Sequence, residues 1–287
     1  MKKQRVAIIG LGSWAEKIVR TLKTFEDVEI VAACQRKNER PDWLPECQLF
    51  HDVGDLLVHT ALTHIITAVP PQAHLDIIST AQWFHRPIWL EKPIALSLED
   101  AKAIFSGVGS LFVDHIHLYS ECWQYMLNEV KPKIQSGSII RSTGYGFGPN
   151  PSHDFSVLYD YAVHDLSMLF TLFDDVKVEN THLTKGSNGE HYSIEMKANE
   201  CSILTKVGND GCYGGKKRLF DITIGDDTYS YDGLAQTVSK NGDVVFKAKE
   251  LPLKHALSAF LSGEQSDRPM VLKMMKLLGK IEERTMI

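Results

Sequence analysis

The chain reads as an α/β protein in two parts, an N-terminal doubly wound parallel sheet followed by an α+β part with a large, mainly antiparallel open sheet. Three observations predict this. Residues 1–115 alternate short, almost unbroken apolar runs with stretches of helical spacing, as strands covered on both faces by crossover helices do. Residues 116–287 change texture, with many runs of strand period separated by turn residues. A glycine turn, Gly10-Leu11-Gly12, closes the first apolar run and opens the first helical stretch. A length of 287 residues suits two ordinary domains, and the division is placed at 115/116.

Taken in order, residues 6–9 form the first strand. Residues 14–24 follow as a helix, with Trp14, Ile18, Val19 and Leu22 at helical spacing. Residues 28–34 are the second strand, 53–59 a short helix and 63–69 another strand. A helix over 71–84 tolerates its proline in the first turn, and 87–90 is the next strand. Ser97, with Asp100 three residues on, reads as the N-cap of a further helix before a strand at 111–114. In the second part, helices are expected over 119–135 and 159–173. Strands are expected over 139–147, 176–184, 191–198, 200–207, 218–224, 227–232 and 243–248. Ser187-Asn188-Gly189, Asn209-Asp210-Gly211 and Asn241-Gly242-Asp243 supply turns, and residues 257–261 and 270–284 read as closing helices.

Composition narrows the function. Hydrophobic residues make up 44% and charged residues 23%, which excludes a disordered chain, a fibre and a small disulfide scaffold. A net charge of −5 offers no global basic field for nucleic acid. Mean hydropathy is −0.15, and no apolar run nears the ~18 residues of a membrane span. The first residues, Met1-Lys2-Lys3-Gln4-Arg5, lack the apolar core of a secretory signal, so a cytoplasmic protein is expected. Cys34, Cys47, Cys122, Cys201 and Cys212 show no metal-ligand spacing; they read as reduced thiols, and no metal is expected.

Gly10-Leu11-Gly12-Ser13-Trp14-Ala15 has the pattern G-x-G-x-x-A at the first strand–helix junction. Gly10 permits the tight turn, Gly12 lets the backbone approach a pyrophosphate, and Ala15 allows close helix–strand packing. The helix N-terminus then holds phosphate oxygens. At the end of the second strand an NAD-specific site carries an acid for the ribose hydroxyls. Here the run is Gln35-Arg36-Lys37-Asn38, with no carboxylate to repel a 2′-phosphate and two cations to attract it. NADP(H) is therefore the expected cofactor, with NAD the alternative.

Glu91-Lys92-Pro93 follows a parallel strand, and such strand ends face the ligand crevice. Asp160 and His164 lie four apart on an expected helix and share a face. A histidine can accept a substrate hydroxyl proton, a lysine can stabilise charge on the oxygen, and Asp160 can orient either.

These pieces together resemble the Gfo/Idh/MocA oxidoreductase family, which includes glucose–fructose oxidoreductase and inositol dehydrogenases. The resemblance rests on Gly10 to Ala15, Pro70 with His74, Glu91-Lys92-Pro93, and Asp160-x-x-x-His164-Asp165, in matching order along nearly the whole chain. It implies a Rossmann domain, then a substrate domain whose open sheet often mediates oligomerisation, hence a homodimer or homotetramer. It implies hydride exchange between a nicotinamide and a sugar, polyol or nucleotide-sugar carbon, with Lys92, Asp160 and His164 as the catalytic group. Ser13, Trp14, Pro70, His74 and Glu91 join the cofactor site by the same resemblance. Two departures stand out. Val69-Pro70-Pro71 replaces the family's Thr-Pro-Asn, and Ser156-Val157-Leu158-Tyr159 replaces glycines before the histidine motif. The segment 113–120 looks most like compact members associated with surface-polysaccharide or nucleotide-sugar metabolism.

His115, His117 and Tyr145, beside Asp160 and His164, are candidate substrate contacts. Phe147, Asn150, His153 and Asp154 extend the same polar stretch. Lys216-Lys217-Arg218 reads as a solvated cationic turn. A non-catalytic, NADP-binding regulator on the same fold is the alternative to an enzyme.

Overall fold

A computed structural model describes residues 3–37, 39–146, 155–186, 189–209 and 215–285. The chain forms two compact units, Met1–Asp114 with Leu253–Arg268, and His115–Pro252 with Pro269–Ile287.

The first unit contains β1 (Gln4–Ile9), α1 (Ser13–Leu22), β2 (Val28–Cys34), β3 (Gln48–Phe50), α2 (Val53–His59), β4 (His64–Thr67), α3 (His74–Thr80), β5 (Ile88–Leu90), α4 (Leu98–Gly107) and β6 (Leu111–Val113). The strands make a six-stranded parallel sheet in the order β3-β2-β1-β4-β5-β6. The order reverses between β1 and β4, the switch point outside whose carboxyl ends ligands bind in such sheets. Val6, Ala7, Ile8, Ile65, Ile66 and Ile88 are fully buried, which is why these strands read as unbroken apolar runs. α1 turns Ala15, Ile18, Val19 and Leu22 inward at helical spacing. Ser97 caps α4 by accepting from the Asp100 N–H at 3.0 Å, as its spacing predicts. The helix expected over 71–84 is shorter, a 3₁₀ turn at Pro71–Ala73 and then α3, which ends at Thr80.

The second unit contains α5 (Glu121–Tyr125), β7 (Ile139–Tyr145), α6 (Val163–Leu172), β8 (Lys177–Gly186), β9 (Gly189–Ala198), β10 (Cys201–Gly208), β11 (Lys217–Ile224), β12 (Asp227–Asp232), β13 (Thr237–Lys240) and β14 (Asp243–Lys247). The eight strands run in the order β14-β13-β12-β11-β7-β10-β9-β8, antiparallel except for the parallel pair β7–β10. The helix expected over 119–135 is α5 continued by a π turn, Met126–Val130, and a 3₁₀ turn at Lys131–Lys133. One face of the sheet buries Ile194, Ile203, Phe220, Ile222 and Tyr231; Trp123 packs edge-on against Phe220 and Tyr231 at 4.9 and 5.8 Å between ring centres.

α7 (Pro252–Leu261) follows β14, and α8 (Arg268–Thr285) ends the chain. Residues 253–268 follow the substrate-domain strands in sequence but pack with the first unit. Phe260, fully buried, sets its ring 5.2 Å from His64, 5.6 Å from Trp89 and 5.8 Å from Phe112. The Val113 N–H donates to Ser266 Oγ at 2.7 Å and the Ser266 N–H to the Leu111 carbonyl at 3.0 Å, so the edge of β6 is covered. α8 buries Val271, Met274, Met275, Leu278 and Ile281 in the second unit. Among the described residues no helix is long and apolar enough to cross a membrane.

Candidate active site

Gly10 ends β1 with φ +87°, and a Cβ there would stand 2.5 Å from the Ala68 carbonyl oxygen. The position therefore requires glycine on both counts. Gly12 is the N-cap of α1, and its backbone is extended. No side chain caps the helix there, and a Cβ would meet nothing within 4 Å. Ser13 is exposed, Trp14 half-buried and Ala15 fully buried. An open backbone at an uncapped helix start fits a dinucleotide pyrophosphate.

After β2, Arg36 and Lys37 are exposed. The Gln35 side chain donates to the Glu39 carbonyl, and the Gln35 carbonyl meets His51 Nδ1 at 2.9 Å. Asp52 is committed to capping α2 through the Asp55 N–H at 3.0 Å. Cys34 is no nucleophile: burial, helped by the Asp52 charge, pushes its thiol up to about 11. Pro70 is exposed and precedes the 3₁₀ turn. His74 is fully buried, with Nδ1 2.9 Å from the Ile94 carbonyl and Nε2 3.2 Å from the Val69 carbonyl. Burial holds its pKa below the usual value against the pull of both carbonyls, and a neutral ring, with one N–H, donates to one of the two.

Glu91 and Lys92 follow β5 at the carboxyl edge of the sheet. Glu91 Oε1 accepts from two indoles, Trp14 Nε1 at 2.6 Å and Trp89 Nε1 at 3.0 Å. Burial raises the Glu91 carboxyl to about 7, against those indoles and Lys92. Asp114, the residue after β6, is fully buried beside it, and burial and the Glu91 charge raise its carboxyl well above the usual range. The two carboxyls act on each other through their charges, each making ionisation of the other harder.

In the second unit, Asp160 lies in a π turn, Leu158–Ala162, that leads into α6, where His164 sits one residue inside. Such widened turns occur frequently at functional sites. Both side chains are half-buried. The His117 ring stands edge-on to His164, 4.9 Å between centres, and His117 Nδ1 lies 2.9 Å from the Tyr231 hydroxyl. Burial pushes the Tyr231 phenol up to about 12, so it stays protonated and fixes the His117 ring. His115 is buried, and Tyr145 is buried at the end of β7 with its ring 5.8 Å from His191. Phe147, Asn150, His153 and Asp154 lie outside the described residues.

The run Lys216-Lys217-Arg218 requires correction. Arg218 is on β11, 7% exposed, and its Nη1 donates to Asp165 Oδ2 at 2.6 Å. Its guanidinium also lies 5.9 Å from the Tyr161 ring. A strand alternates faces, so one residue of a cationic run can point inward while its neighbours stay wet. Gly144 on the adjacent strand makes room, since a Cβ there would stand 2.6 Å from Arg218 Nη1. Asp165 follows the catalytic candidate, so this pair anchors α6 at His164.

Residues 4–108 match the GFO_IDH_MocA family model, described as an oxidoreductase family with an NAD-binding Rossmann fold. Over those residues the chain is similar to that family. An uncharacterized protein of Saccharomyces cerevisiae is 26% identical over 61% of the chain, and the match spans 57% of that protein's length. A D-apiose dehydrogenase of Paraburkholderia graminis is 23% identical over 85% of the chain and 69% of its own. Among solved structures, a UDP-N-acetylglucosamine 3-dehydrogenase from Acidithiobacillus ferrooxidans shares the fold over 99% of this chain and 98% of its own, with a TM-score of 0.83 at 16% identity. The Gfo/Idh/MocA match covers Gly10, Gly12, Lys92 and their strands; Asp160 and His164 lie beyond it.

Proposed function

We propose that the protein is a nicotinamide-dependent oxidoreductase acting on a carbinol or carbonyl carbon of a sugar, polyol or nucleotide sugar, with NADP(H) preferred. One observation carries the reading: the uncapped glycine turn after β1 and Lys92 after β5 lie at the carboxyl edge of one parallel sheet. The D-apiose dehydrogenase relative supports a sugar-like substrate. Exposed Arg36 and Lys37, with Asp52 engaged in a cap, support the 2′-phosphate.

The nicotinamide, when bound, supplies the two-electron hydride exchange. The Lys92 ammonium polarises the substrate oxygen and stabilises charge developing there. His164 takes the hydroxyl proton in the oxidising direction and returns it in the reducing one. Asp160 orients the base, while His117, held by Tyr231, buttresses its ring.

The test is oxidation of NADPH across a panel of keto-sugars and UDP-keto-sugars, alongside titrations of NADPH and NADH. His164→Ala and Lys92→Ala are expected to lower kcat/KM by roughly 10²–10⁴ each, with NADPH still bound by the His164 variant. Full turnover in either variant removes that residue from the mechanism. Binding of NADPH without turnover of any substrate would favour a regulator, and equal affinity for NADH would remove the NADP preference.

A further inference from the structure

We propose that Glu91 and Asp114 form a one-proton carboxyl pair that couples dinucleotide binding at the glycine turn to proton uptake, with Trp14 as the link between them. The inference rests on the cofactor reading above and goes beyond it, since neither carboxyl takes part in the hydride chemistry.

The pair is built by strand register. Leu90 of β5 pairs with Val113 of β6, and the Asp114 N–H donates to the Leu90 carbonyl at 2.8 Å, so the residues that follow the two strands are side by side. Asp114 is fully buried and Glu91 is 9% exposed. Two carboxylates so placed cannot both ionise without a large penalty, so one proton stays between them. Lys92 is the cation that faces the pair, and the indoles of Trp14 from α1 and Trp89 from β5 are its neutral donors. One proton is retained throughout, and near neutral pH the pair exchanges a second one, passing between the neutral and the singly negative form.

Trp14 connects this pair to the cofactor turn. It lies in the first turn of α1, two residues after Gly12, and its Nε1 reaches Glu91 at 2.6 Å. Phosphates held at that helix start add negative charge next to the indole that donates to Glu91. Negative charge there disfavours the ionised pair, so binding takes up a proton. The reduced cofactor has a neutral ring and the oxidised one a positive ring. Uptake is therefore greater for the reduced form.

Calorimetric titrations of the full chain with NADPH and NADP⁺, in buffers of different ionisation enthalpy from pH 6 to 8, read the exchange directly. Wild-type protein is expected to take up a fraction of a proton with NADPH and less with NADP⁺. Asp114→Asn and Glu91→Gln, checked for folding by circular dichroism, remove the part due to the pair and leave that of the cofactor's own 2′-phosphate. Trp14→Phe reduces it. Zero exchange by wild-type protein at every pH overturns the proposal without any variant, as does undiminished exchange in a folded Asp114→Asn protein. Absence of binding altogether overturns the cofactor reading with it, whereas binding without exchange overturns the proton coupling alone.

Discussion

Each unit buries an acidic site beside its candidate functional residues, and the two sites are stabilised in opposite ways. Glu91 and Asp114 face each other with two indole donors and one lysine nearby. Asp165 faces Arg218 across 2.6 Å, with side chains 1% and 8% exposed. A like-charged pair answers burial by keeping a proton, which leaves a group able to titrate near neutrality. An ion pair answers it with a fixed countercharge, which leaves an anchor. Burial still pushes Asp165 upward while Arg218 pulls it down. The difference teaches that a buried carboxyl signals a switch in one setting and a rivet in the other, and that the partner decides which.

The rivet breaks hardest. Arg218→Met leaves a buried carboxyl without its countercharge, and a loss of about 3–5 kcal/mol in urea unfolding is expected. Replacing Asp165 by Asn in the same chain is expected to recover part of it. A single-variant loss below about 1 kcal/mol would show that the pair anchors little.

The switch has a pH signature instead. Folding raises the Glu91 carboxyl from 4.5 to about 7, so the folded state binds the proton more tightly than the unfolded chain. The resulting stabilisation is complete below the unfolded value and is lost as pH rises through about 7. Unfolding of the cofactor-free protein from pH 5 to 8 should show this decline, and Glu91→Gln should flatten it. An unchanged slope in that variant would assign the decline to other groups.

The smallest expected effect sharpens the rivet's geometry. Gly144→Ala places a methyl 2.6 Å from the Arg218 guanidinium, and a cost of about 1–3 kcal/mol is expected. A neutral result would mean that Arg218 swings aside without losing Asp165, which a pH titration of that carboxyl by NMR would reveal.

Much of the first unit was legible because its signals are local. Gly10, Gly12 and Ala15 sit in six consecutive residues, and the strands are apolar throughout because both faces are covered. β3 and β13 were not expected; they are three and four residues long and carry too little periodicity to stand out. The π turn that carries Asp160 looks like ordinary helix in sequence, since a single widened turn leaves the apolar spacing almost intact. Arg218 was misread because a cationic run has the same composition whether one member points inward or not. A signal did exist: Gly144 lies within a strand of otherwise good formers, and an interior strand glycine marks close approach of something else. The Glu91–Asp114 pair could not be foreseen, as the two residues are far apart in the chain and meet only through the register of β5 and β6.

α7 carries a consequence for biosynthesis. The ribosome releases the first unit's sheet early, yet Phe260 and Ser266, which cover the Trp89–Phe112 stack and the edge of β6, emerge only after the whole eight-stranded sheet has been made. Until then an aromatic face and a strand edge of the nascent chain lack the residues that cover them. Shortened versions ending before residue 252 are thereby committed to an N-terminal half that lacks its own closing piece.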